Sequence, residues 1–344
     1  MKRTSLLNHG LIPLSVLAVV VLTASTGRTA DIPDKTDPAK VVGVESCTKC
    51  HKSELAALDA SSHHGSLEKM KAPNAPKYIA AVGGKKDVCF TCHGTPKGDG
   101  ELQAISDVSC ESCHGGAGDW LDIHGKEGVA QVGRHAGADE GGMIRAPKVY
   151  TIAKNCFNCH VVFHEELVNA GHPASNKIEF LGWSTGEIRH NFQKNQAKNA
   201  EAPSAWAEYA GGKTEDRRRL KLVVGHLVDL EVCLTNLGKV TNGKGGFAKG
   251  NSKRAKAALG EVEDIADELG DAAPELDDAI KAAKELGRFS SISVKSKQIA
   301  AAPDAAAAVA KAAVAVSEKY DGSTFGAIDK MVGKAKPRGT PYSP

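Results

Sequence analysis

Four copies of one pentad carry the most chemistry in this chain. Cys47, Cys50 and His51 make the first, Cys89, Cys92 and His93 the second. Cys110, Cys113 and His114 make the third, and Cys156, Cys159 and His160 the fourth. Eight of the nine cysteines are used by this pattern. Cys-x-x-Cys-His reads as covalent haem attachment. The two thiols add to the vinyl groups of one porphyrin as thioethers, and the adjacent histidine supplies an imidazole to the iron.

Other readings of the same residues are weaker. Cys89, Cys92, Cys110 and Cys113 have the spacing of a four-cysteine zinc site. A zinc ribbon, however, does not need histidine after every second cysteine. A thioredoxin-like redox pair belongs to a strand–helix unit, and no strand-rich context surrounds any copy. Ordinary disulfides leave the four histidines unexplained. The fourfold repeat, with no copy incomplete, favours haem.

Residues 1–30 read as a signal peptide. Lys2 and Arg3 form its basic end, residues 11–24 its apolar run, and small residues lead to Ala30. The run is short for a membrane span; an uncleaved anchor is the alternative, and cleavage after Ala24 or Gly27 is an option. Export to the periplasm or beyond is expected either way, in keeping with covalent haem. The leader also explains the net charge of +3, because Lys2, Arg3 and Arg28 lie in it and no acidic residue does. The body is therefore neutral, and haem propionates would make it acidic. A basic nucleic-acid-binding surface is not indicated.

The body is long enough for two domains. Residues 31–200 hold every pentad, are rich in Gly, Lys and His, and show few long periodic runs. Aromatic residues make up only 5% of the chain, so haem plates would have to supply the core. Short helices and loops wrapped on stacked haems are expected there. Residues 203–335 read as an antiparallel helical bundle. Leu220, Val223, Val224, Leu227, Leu230, Leu234 and Leu237 share one helical face. Ser252 is expected to cap a second helix that Gly270 stops. Pro274 and Pro303 are expected to open a third and a fourth. Residues 241–250 read as a flexible connection, and 336–344 as a loose tail. The expected fold class is mainly α.

The function depends on the far side of each iron. A second histidine there gives a six-coordinate electron-transfer haem, and an open face gives a place for a small molecule. Outside the leader and the pentads stand His63, His64, His124, His135, His164, His172, His190 and His226. The string DASSHHGS after the first pentad, CESCHGGAGDWLDIH at the third, and LVNAGHPAS and EFLGWSTGEIRHNF after the fourth resemble the tetraheme cytochrome c554 family over residues 41–193. Leu58 stands where the family has Trp and Gly116 where it has Pro. The resemblance implies four haem c groups with His63, His124, His172 and His190 as distal ligands. It further implies His124 over the first haem, His63 over the third, His190 over the fourth and His172 over the second. In the family's namesake the second haem is five-coordinate; His172 would close it here.

The other histidines have plainer readings. His64 is the neighbouring alternative to His63. His164 would lie one helical turn past His160, and His135 in a Gly-rich loop is a reserve ligand. His226 reads as a helix histidine and Cys233 as a small core residue. The leading functional expectation is an electron carrier rather than a catalyst. The resemblance implies a redox donor such as a hydroxylamine-oxidoreductase-like protein, and an acceptor such as a membrane quinone-linked cytochrome. The alternative is reaction of a small nitrogen-oxide species at a five-coordinate haem, with Arg134, His135 and Asp139 nearby. The bundle would dock a partner or assemble copies.

Overall fold

Helix dominates this chain because its long apolar patterns have helical period and its strand-like runs are short. The computed structural model describes residues 37–189, 194–195, 200–201, 213–290 and 292–341. The expected leader, residues 202–212 at the start of the expected second domain, and His190 lie outside the described residues. The chain divides into residues 1–31, which are not described, and residues 32–344, which hold every contact given below.

Short helices come first: α1 (Glu45–Thr48), α2 (Lys52–Asp59), α3 (Ala75–Ala81), α4 (Asp87–His93), α5 (Cys110–His114), α6 (Leu121–His124), α7 (Gln131–Glu140), α8 (Val149–His160), α9 (Glu165–Asn169) and α10 (Phe180–Ser184). Longer ones follow: α11 (Thr214–Gly238), α12 (Gly246–Leu269), α13 (Glu275–Glu285), α14 (Ser296–Lys319) and the short α15 (Asp329–Lys334). Strands β1 (Thr95–Lys97) and β2 (Gln103–Ser106) form an antiparallel hairpin, with Pro96 opposite Ala104. Two-residue strands β3 (Lys194–Asn195) and β4 (Ala200–Glu201) pair in the same sense. The fold is mainly α, as expected.

The core is unevenly placed. Before Val149 the buried apolar cluster comprises Ala117, Trp120 and Ala138. From Val149 to Val332 one continuous core takes in Phe157 and Phe180 together with the bundle. A covalent cofactor would supply to the first part the apolar mass its side chains lack.

Helix α11 is the centre of the second part. All seven residues of its expected apolar stripe are buried, and so are most residues on its other faces. A helix buried all round is a central one. Several of its buried polar groups find partners in the first part of the chain and in α12. Arg217 donates to the carbonyls of Ala146 and Pro147. Glu231 accepts from Tyr150 and Lys154 of α8. Asn236 donates to the Val162 carbonyl. Asp229 holds Arg254 by two bonds of 2.6 and 2.9 Å, and Arg254 also donates to the Ile178 carbonyl. The described parts on either side of residue 200 thus share one core.

Several helix limits differ from expectation, each for a long-range reason. Helix α12 starts at Gly246, not at Ser252. Asn169, from the end of α9, accepts from the Phe247 N–H at 3.0 Å and takes the place of a local cap. Ser252 instead donates to the Ser290 carbonyl. The connection expected to be flexible is pinned, because Glu165 accepts from both the N–H and hydroxyl of Thr241 and from the N–H of Asn242. Pro303 lies inside α14 rather than at its start. Its ring faces Gly238 of α11, where an added Cβ would come within 2.9 Å of Pro303 Cγ. Close packing against that glycine offsets the hydrogen bond a helical proline loses. Helix α14 is long and apolar enough by length and composition to cross a membrane, and its face of Ala302, Ala305, Val309, Ala312, Ala313 and Val316 is buried in this core. The tail, expected to be loose, is held at Arg338, whose N–H donates to the Gly182 carbonyl and whose carbonyl accepts from the Glu187 N–H.

His226 lines a cavity of about 170 Å³ with Glu179, Asp229, Arg254 and Glu261. Burial, and then the neighbouring Arg254 charge, push its imidazole down to about 4 from 6.5. Between those values the unfolded chain binds a proton that the folded chain refuses, so stability falls as pH drops from 6.5 to 4. The expected loss is on the order of 2–3 kcal/mol. Denaturant midpoints at pH 7 and pH 4.5 should show it, and the difference between them should shrink in His226→Leu.

Candidate haem-binding site

The pentads share a local form. The second, third and fourth end α4, α5 and α8, each with its histidine as the last helical residue. On a helix, positions i, i+3 and i+4 lie on one face, so both thiols and the imidazole point the same way. The first pentad spans the end of α1 and leads into α2. After His114 the chain turns at Gly115, with φ of +84°, a conformation that favours glycine.

Hydrogen bonds hold the pentads together. Glu111, inside the third pentad, is fully buried. Its carboxylate accepts from the N–H groups of Val42, Gly43 and Ala117, each at 2.8 Å. This ties the third pentad to the approach of the first. Cys47 and Cys110, of the first and third pentads, are close enough to act on each other electrostatically. Asn155 of α8 donates to the carbonyls of Ser112 and Cys113, at 3.0 and 2.9 Å. Cys159 Sγ lies 3.5 Å from the Thr91 carbonyl inside the second pentad. The loop carrying His63 is fixed by Asp107, which accepts from the Gly65 and Leu67 N–H groups at 3.0 and 2.8 Å.

Three pentad histidines each face a second histidine. The ring centroids of His51 and His124 are 5.9 Å apart, with 24° between planes. His63 and His160 are 6.0 Å apart, and His93 and His172 6.3 Å. A metal–imidazole bond of about 2 Å, with the ring centre roughly 1 Å beyond the nitrogen, puts two rings on opposite sides of one metal about 6 Å apart. The spacing therefore fits an iron between each pair.

The outer nitrogens are also set. His114 Nδ1 donates to the Ile144 carbonyl at 2.8 Å, and His172 Nδ1 to the Pro173 carbonyl at 2.9 Å, which leaves Nε2 of each to ligate. Asn176 meets His160 Nδ1, and Glu54 faces His51 Nδ1 at 3.7 Å. Hydrogen bonding to Glu54 holds His51 above its usual value. Burial, followed by the facing histidine, lowers His93 and His124, and pushes His160 to about 4. Neutral imidazole is the form that binds a metal. His124 Nδ1 and Trp120 Nε1 are buried without a hydrogen-bond partner, and the two rings meet edge to face at 5.6 Å.

A cavity of about 570 Å³ runs between the second, third and fourth pentads. His63, His93, His114, His160 and His172 all line it. The donors, the paired rings and the space fit haem c.

The site departs from expectation at several points. His63 faces His160, not His114. His190, expected over the fourth haem, lies outside the described residues. His135 is on helix α7, not in a flexible loop. His164 does not continue α8, which ends at His160; it precedes α9 and rests on the Phe163 ring at 4.2 Å. The Arg134, His135 and Asp139 cluster is not an open acid–base site, since Asp139 is taken by Arg145 at 2.7 and 2.6 Å and by Lys148 at 3.4 Å. Sequence reasoning did not single out Glu111, Asn155, Trp183, Lys221 or Arg338. Of these only Glu111, inside CESCHG, carried a local signal.

A helical chain with repeated haem-attachment pentads and paired histidines at metal spacing is a c-type cytochrome. Haem c and electron transfer belong to that class. Residues 46–115 match the family described as Cytochrome c554 and c-prime, so this part of the chain is similar to that family. A cytochrome c-554 of Nitrosomonas europaea is 24% identical over 163 residues. The match covers 43% of this chain and 66% of that protein, just under two thirds of its length. No solved structure matches.

Proposed function

We propose that this protein is an exported tetraheme electron carrier whose haems have histidine on both faces. The observation that carries the reading is the set of three histidine pairs with centroids 5.9–6.3 Å apart. Cys47 and Cys50, Cys89 and Cys92, Cys110 and Cys113, and Cys156 and Cys159 would each hold one haem c. His51 with His124, His93 with His172, and His160 with His63 would ligate the first, second and fourth irons. His114 would ligate the third, with His190 as the distal ligand left over.

Haem iron, when bound, supplies one-electron chemistry. The protein favours the neutral imidazole at His93, His124 and His160, fixes the proton on Nδ1 of His114 and His172, and places Glu54 behind His51. A carboxylate behind a ligating histidine makes it a stronger donor, which favours the oxidised iron. Contacts between pentads support a path from first to third (Glu111 to Val42 and Gly43), third to fourth (Asn155 to Cys113) and fourth to second (Cys159 to Thr91). The partners would be redox proteins, a hydroxylamine-oxidoreductase-like donor and a membrane quinone-linked acceptor, with the helical bundle available for docking or assembly.

Peptide mass spectrometry of the purified protein tests this. Each pentad peptide should carry one haem, and the oxidised protein should show only low-spin iron by electron paramagnetic resonance. A pentad peptide with free thiols, or bound zinc in place of iron, would sink the reading.

A further inference from the structure

Lys221 lies on α11, far outside the stretch with the family match. It is only 8% exposed and lines the 570 Å³ cavity with Cys113, Cys156 and His160. Its ammonium donates to Ser184 Oγ at 3.0 Å and sits 5.5 Å from the centre of the Phe180 ring, so α10 fixes its direction. Its charge is felt at Cys156, one of the two sulfurs of the fourth pentad. Among the described residues beyond 200, Arg338 is the other cation at this wall, stacked 3.8 Å from the centre of the Trp183 ring. With a side chain 46% exposed, its field is screened by water. That of Lys221 is not.

We propose that Lys221 sets the reduction potential of the fourth haem, as a buried positive charge that the helical half places beside that haem's thioether edge. This rests on haem attachment at Cys156 and Cys159. A cation in a low-dielectric interior favours the state with one more electron nearby. Burial and local charge are among the means by which a protein tunes a haem. The bundle thereby acquires a role within the electron path, in place of docking alone.

Potentiometric titration of the intact holoprotein tests the idea. Lys221→Met should lower the midpoint of one haem enough to change its reduced-to-oxidised ratio at least tenfold at fixed potential, about 59 mV for one electron. Lys221→Arg should keep it near the wild-type value. Unchanged midpoints in Lys221→Met, with haem still on the Cys156–Cys159 peptide, would overturn the proposal and leave the attachment reading intact. A wild-type peptide without haem would overturn that reading and the proposal with it.

If Lys221→Met does not mature, the wild-type protein decides. Burial, then the Arg217 charge on the same helix, lower the ammonium to about 8. Among the described residues the groups facing it include Arg217 from α11, Ser184 and Phe180 from α10, and Cys156 from α8; of these Arg217 stays charged, and Cys156 as a thioether does not titrate. One midpoint should fall as pH rises through about 8, when the positive charge is lost. Midpoints flat across that range would overturn the proposal.

Discussion

His172→Ala converts one haem from low-spin to high-spin iron, and the electron paramagnetic resonance spectrum of the oxidised protein gains a signal that nitric oxide changes. The expectation follows from the position of His172. Its ring stands 6.3 Å from His93 and 5.2 Å from Tyr78, and its Nδ1 donates to the Pro173 carbonyl. Gly171 before it has a φ of +102°, and the Tyr78 hydroxyl donates to its carbonyl at 3.1 Å. The turn thus aims the imidazole at His93 without a helix to carry it. Removing the side chain takes away the imidazole that faces His93. His63→Ala should do the same at the fourth haem, where His63 faces His160. Wild-type protein that already shows high-spin iron responsive to nitric oxide would defeat full bis-histidine ligation and favour small-molecule chemistry.

Local features were legible in the sequence, and features made by distant contacts were not. The pentads announce themselves because both thiols and the imidazole lie within five consecutive positions. The α11 stripe from Leu220 to Leu237 is legible because its period is that of one helix. The start of α12 is not, since its cap is Asn169 from another element. Pro303 reads as a helix start, and only contact with Gly238 shows why it sits inside. The partner of His63 depends on how the Asp107 loop meets α8, a matter of tertiary packing. Lys221 in RRLKLVV resembles an exposed helix residue until α10 closes over it. Arg338 reads as part of a loose end until Trp183 offers a ring to stack on.

Glu231→Ala is expected to lower stability by about 3–5 kcal/mol, because it removes one partner of a buried ion pair. Glu231 on α11 accepts from the Tyr150 hydroxyl at 3.2 and 3.1 Å and from the Lys154 ammonium. The Lys154 and Glu231 side chains are 12% and 6% exposed, so water cannot readily replace the carboxylate. Lys154 and Tyr150 both belong to α8, which ends in Cys156, Cys159 and His160. The pair therefore joins the helix of the fourth pentad to the centre of the bundle. Denaturant unfolding of the holoprotein measures the cost. Pairing the change with Lys154→Met should recover much of it, because an apolar side chain needs no counter-charge and Phe157, Val149 and Ala153 already make this face apolar. A single change costing less than about 1 kcal/mol, the usual worth of an exposed pair, or a double variant no better than the single, would show that α8 is held by apolar packing alone.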